Sequence, residues 1–130
     1  MWQVFCAPGP EDQPLPVDWI AFHAPRCARI PLEHWELIEE LATAALPDYH
    51  EIWELAHSEE FLDRDQTVEF RECLSKLHEL IGRVPPLSPE VTEDIPENMD
   101  PEAHQMMVAT VIAVLDEALR LEHPFDAWVD

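Results

Sequence analysis

Pro31-Leu32-Glu33-His34-Trp35-Glu36-Leu37-Ile38-Glu39-Glu40-Leu41-Ala42-Thr43-Ala44-Ala45-Leu46-Pro47 decides the fold class of this chain. Pro31 suits a first helical position, where its missing N–H costs nothing, and Glu33 falls in the first turn. With successive residues near 100° apart, Trp35, Leu37, Ile38, Leu41, Ala42, Ala44 and Ala45 gather on one broad side. Glu33, Glu36, Glu39, Glu40 and Thr43 fill the other, which is the pattern of a helix with one buried face. Pro47 ends it.

The same period continues downstream. Asp48 is placed as an N-cap with Glu51 at the capping-box position, and Tyr49, Ile52, Trp53 and Ala56 form the next apolar stripe. A break follows around Ser58–Asp65. A third helix is expected from Gln66 to Ile81, with Phe70, Cys73, Leu74, Leu77, Leu80 and Ile81 inward and Gly82 as its C′ residue. Glu72 stands four residues before Lys76, the favourable order for a helix ion pair. After the proline-interrupted stretch from Arg83 to Met99, Asp100-Pro101-Glu102 opens a last helix reaching about Glu122. That helix is apolar over half its circumference, through Met107, Val108, Val111, Ile112, Val114, Leu115, Ala118 and Leu119. His123-Pro124 stops it, and Phe125 and Trp128 are expected to fold back on the body.

Upstream of Pro31 the reading changes. Met1–Cys6 and Val17–His23 are β-branched and aromatic enough for short strands, and the stretch from Ala7 to Pro16 is too rich in proline for helix or central strand. The expected fold class is mainly α: a single-domain bundle of about four helices with a short N-terminal β or extended element. Its parts are an arm at 1–30, acidic helices at 31–82, a Pro-rich acidic loop at 83–100, a central apolar helix at 101–122 and a tail at 123–130.

Charge is the functional signal. Among 130 residues, 28 are Asp or Glu and 7 are Lys or Arg, a formal net charge of −21, yet 47% of residues are hydrophobic. A disordered acidic tail would lack those apolar residues. Self-repulsion of this size opposes a compact state and calls for an explanation, most often a basic partner. The segment from Pro31 to Gly82 alone carries net −11, mostly off the apolar stripes, so the charge is expected as a rigid surface. Low Lys with high acid also occurs in salt-adapted proteins, but Glu outnumbers Asp here and large apolar residues are retained. The charge repels nucleic-acid phosphates and anionic lipid surfaces, and the most apolar run, Met106–Leu115, is half the length of a membrane span. Met1–Phe5 has neither a basic n-region nor an apolar h-region of a secretory signal. Cys6, Cys27 and Cys73 form no Cys-x-x-Cys pair and read as reduced, buried thiols of a cytoplasmic protein.

No catalytic motif stands out, and an enzyme is not expected. His50, Glu54 and His57 share one helix flank at i, i+4 and i+7, a spacing that could hold a divalent ion with a further ligand; an exposed polar face is the favoured reading. His23 and Cys27 are a weaker pair of the same kind, and no metal or cofactor is expected. With glycine only at 9 and 82, the sequence argues against a phosphate-cradling loop or Rossmann turn. Trp35 and Trp53 belong to stripes, whereas Trp2, Trp19 and Trp128 lie in arms or tail, where an exposed ring can anchor a partner.

The sequence therefore points to an acidic inhibitor that binds a basic protein, foremost a nuclease or nucleic-acid-binding protein, as an immunity protein or DNA mimic does. The expected contact residues are Glu33, Glu36, Glu39 and Glu40 of the first helix and Glu69, Glu72 and Glu79 of the third. The alternative is a small acidic chaperone or adaptor, acting as a homodimer through an apolar groove.

Overall fold

The computed structural model describes residues 1–7, 27–58, 61–82, 101–122 and 125–129. Among them the chain is mostly helical, with a small antiparallel sheet. The order is β1 (Trp2–Cys6), β2 (Cys27–Pro31), α1 (Leu32–Ala45), a 3-10 turn (Pro47–Tyr49), α2 (His50–Ala56), α3 (Arg64–Gly82), α4 (Pro101–Leu121) and β3 (Asp126–Val129). No described helix is long and apolar enough to cross a membrane.

β1 is the middle strand, paired on one side with β2 and on the other with β3. The register sets Val4 against both Arg29 and Trp128, and Phe5 against both Ala28 and Ala127. Alternation of side chains then gives the sheet two faces. Phe5, Ala28, Ile30 and Ala127 join the helices in the main core, while Val4, Cys6 and Cys27 form a second cluster with Trp2 and Trp128 against it. The sheet is thus a larger share of the core than the predicted N-terminal element. Its third strand comes from the tail that was expected only to fold back. The other predicted strand, Val17–His23, lies outside the described residues, as do Trp19 and the loop 83–100.

α4 packs along α3 and against β1 and β2. Val108, Val111, Val114, Leu115 and Ala118 are buried along it, facing Phe70, Leu74, Leu77 and Ile81 of α3 in one core. His104, fully buried, meets His34 of α1 with Nε2 3.3 Å from Nδ1. Ala44 and Ala45 are exposed rather than buried, because α1 ends there and its last turn overhangs the core.

The helix ends depart from expectation in three places. Asp48 does not cap α2, whose cap residue Tyr49 makes no side-chain bond, because Pro47–Tyr49 winds as a 3-10 turn and leads straight into the helix. The reciprocal box occurs instead ahead of α3. There the Gln66 N–H donates to Asp63 Oδ1 (2.8 Å) and the Asp63 N–H to Gln66 Oε1 (3.0 Å), an arrangement worth about 1 kcal/mol. Gly82 belongs to the last turn of α3 rather than following it. A Cβ there would collide with Gln105 Nε2, and that amide donates to the His78 carbonyl (2.9 Å), tying α4 to α3.

Candidate functional site

Six aromatic rings hold the acidic helices in place. Phe5 of β1 meets the edge of Trp35 (centroids 4.8 Å apart) and stacks near Phe125 (5.8 Å). Trp35 of α1 stacks on Trp53 of α2 at 5.5 Å with their planes 9° apart, and Phe70 of α3 closes on Trp53 at 5.8 Å. Such pairs contribute about 0.5–1.5 kcal/mol each beyond the area they bury. His57 is the sixth ring, stacked on Trp53 at 4.9 Å.

The helical spacing places His57 on an exposed flank with His50 and Glu54; the structure turns it inward. Its Nδ1–H donates to the Trp53 carbonyl (2.7 Å), and its Nε2 accepts from Trp35 Nε1 (2.9 Å). Both ring nitrogens are thereby engaged, and the three residues do not converge on a point. His50 and Glu54 remain an exposed pair, 3.1 Å apart. His23 lies outside the described residues, and Cys27 sits on β2.

Burial holds His57 below the ordinary imidazole range, against the opposing pull of the Trp53 carbonyl and the Glu39 carboxylate. The unfolded chain takes up this proton near pH 6.5, the folded chain only at lower pH. The His57 contribution is therefore complete above about pH 6.5 and is lost as pH falls from there through the folded value. The expected slope is at most about 1.4 kcal/mol per pH unit. His57→Gln should flatten it: between pH 7.5 and 5.5 the wild type should lose more stability than the variant. Parallel urea-unfolding profiles for the two proteins would contradict this role.

On this support α1 displays Glu33, Glu36, Glu39 and Glu40, all exposed. Glu39 has a structural task as well, accepting from Trp53 Nε1 (3.1 Å) across to α2. Between Leu32 and Ala56 stand Glu33, Glu36, Glu39, Glu40, Asp48, Glu51 and Glu54, and no Lys or Arg. Elsewhere three of the described acids, Asp116, Glu117 and Glu122, have Arg partners. Arg71 pairs with Asp116, Arg120 with Glu117 (2.7 Å) and Arg64 with Glu122 (3.8 Å), so α4 is locally neutralised. Glu69, Glu72 and Glu79 are exposed on α3. The predicted ion pair of Glu72 with Lys76 gives way to another contact: Lys76 Nζ lies 5.0 Å from the centre of the Tyr49 ring. The Tyr49 side chain is the main cause of the raised Lys76 pKa, and Glu72 adds a weaker pull.

A groove of about 530 Å³ opens beside the start of α1, lined by Met1, Trp2, Pro31, Leu32, Glu33 and Glu36. The Leu32 N–H donates to the Met1 carbonyl (3.1 Å), meeting one of the helix's first unpaired donors and fixing Met1 next to Glu33. Trp2 is half-buried under the Arg29 guanidinium, which stands 4.9 Å above its ring. The sequence marked Trp2 as a ring able to anchor a partner, but nothing local links it to Glu33 and Glu36. That proximity arises from the pairing of Trp2 with Pro31.

The chain matches no protein-family model, no curated protein and no solved structure.

Proposed function

We propose that this chain is an acidic protein-binding inhibitor that neutralises a basic partner in the cytoplasm, foremost a nuclease or another nucleic-acid-binding protein. The mode is that of an immunity protein or DNA mimic. The observation that carries this reading is the run of seven carboxylates from Glu33 to Glu54 with no Lys or Arg among them, standing on helices pinned by the aromatic rings. Fixed like charges at a surface add their fields, steer a cationic partner toward it and raise association rates by about 10- to 1,000-fold. Carboxylates would take the places that substrate phosphates occupy on such a partner.

The groove beside Glu33 and Glu36 suits one Lys or Arg of the partner. Its stem would lie along Met1, Trp2 and Pro31 and its charged head between the two carboxylates. Glu39 contributes charge while remaining bound to Trp53, and Glu69, Glu72 and Glu79 extend the negative field on α3.

The test is capture from native lysate at low salt, stepwise elution, identification of the eluted proteins and assay of any nuclease among them. Screening shortens from about 10 Å at 0.1 M salt to about 3 Å at 1 M. Basic proteins should leave the column well before 1 M, and a captured nuclease should lose activity on adding one equivalent of the chain. A neutral partner retained equally at both salt concentrations would overturn this function and favour the adaptor.

A further inference from the structure

We propose that Cys6 and Cys27 are a thiol pair that oxidises reversibly to an intramolecular cross-strand disulfide, with a low-molecular-weight disulfide such as oxidised glutathione as the oxidant. Sequence spacing gave no reason to associate these cysteines. The sheet register sets them directly opposite each other on β1 and β2. Residues so placed in antiparallel strands have Cα atoms about 4.5–5.5 Å apart, inside the range of about 4.4–6.8 Å that a disulfide spans. Both side chains belong to the same small cluster on the sheet face away from the helices, and both are buried. The Cys6 S–H donates to the Cys27 sulfur, which lowers the Cys27 pKa against the opposing effect of burial. A hydrogen bond between thiols is the geometry from which an S–S bond forms with least movement.

The remaining cysteine is different in kind. Cys73 is buried on α3 in the main core, and burial pushes its thiol up to about 12, so it holds its proton. Selectivity for the pair follows from its position opposite across the two strands, and the lowered Cys27 pKa makes Cys27 the attacking thiol.

Cys6 and Cys27 are also the last rung of the β1–β2 register, where fraying admits a reagent most readily. The Cys27 thiol loses its proton to solvent, and the thiolate attacks one sulfur of the small disulfide, breaking its S–S bond and releasing one small thiolate. Cys6 then loses its proton and attacks the Cys27 sulfur of the mixed disulfide, expelling the second small thiolate. The two released thiolates take up the two protons. Two protein thiols are oxidised, one small disulfide is reduced to two thiols, and the chain between the strands becomes a closed loop. The pair is independent of the acidic surface, so either proposal can fail without the other.

Native protein equilibrated across glutathione buffers from fully reduced to fully oxidised, quenched in acid, alkylated and digested, tests this. The three reduced thiols should fall to one, with the loss of two hydrogens from the intact chain. A single cross-linked peptide pair should contain Cys6 and Cys27, and reductant should restore all three thiols. Cys73→Ser should leave this cross-link unchanged. Three thiols surviving in the oxidised buffer, or cross-links that involve Cys73 or a second chain, would overturn the proposal.

Discussion

Trp35→Ala is expected to remove about 3–5 kcal/mol of stability, a large part of the 5–15 kcal/mol typical of a small domain. Trp35 is 1% exposed. It contacts Phe5 and Trp53 and donates to His57, so it joins β1, α1 and α2 at one point. Removing it opens a cavity between those elements and leaves His57 Nε2 buried without its donor. Trp35→Phe keeps most of the packing and loses only the hydrogen bond, so its cost should be smaller, about 1–3 kcal/mol. Urea unfolding of the three proteins measures both steps. If alanine cost no more than phenylalanine, the hydrogen bond rather than the packing would be what holds α1 and α2 together.

The second large effect is on association. Glu33→Gln, Glu36→Gln and Glu40→Gln together should slow binding to the basic partner about 10-fold or more at low salt, and dissociation should quicken as well because Glu33 and Glu36 flank the seated cation. Glu39 is left out of the set because its bond to Trp53 would confuse charge with fold. The free variant should melt at the same temperature as the wild type or higher, since like-charge repulsion is relieved. The corresponding change at Glu69, Glu72 and Glu79 should act in the same direction. It should be weaker, because Arg71 and Lys76 share that helix. Stopped-flow association at two salt concentrations reads both. Unchanged association rates in both triples, with binding abolished by Trp2→Ala, would move the interface from the carboxylates to the Trp2 groove alone.

The helices were legible because their signals are local. The apolar spacing and flanking prolines of α1, the stripe from Phe70 to Ile81 and the Asp100-Pro101 start of α4 each sit within a few residues of the element they define. β2 and β3 were not legible in that way. Cys27–Pro31 has proline at its end, Asp126–Val129 is four residues long, and each becomes a strand through β1, far off in sequence or beyond a long connection. The exposed glutamates followed from the helix wheel, and the structure leaves all seven on the surface. His57 shows where the wheel misleads. It lies four residues after Trp53, beside the buried stripe, and the turn at the helix end swings its ring onto the tryptophans. The groove depends on strand register, which single-sequence periodicity does not carry.

The central place of β1 also sets an order of events during synthesis. β1 is translated before the other described elements and can pair with β2 early, but its other edge waits for Asp126–Val129, more than a hundred residues later. Phe125 arrives at the same late moment, and with it the ring that stacks against Phe5 and the backbone acceptor for the Leu62 N–H. Until then the nascent chain carries an open strand edge bearing Val4, Phe5 and Cys6, a surface that other unfinished chains can join. The heavy negative charge of the helices made in the interval would repel such chains from one another. Acidity would then protect the protein while it is being made, before any partner is met.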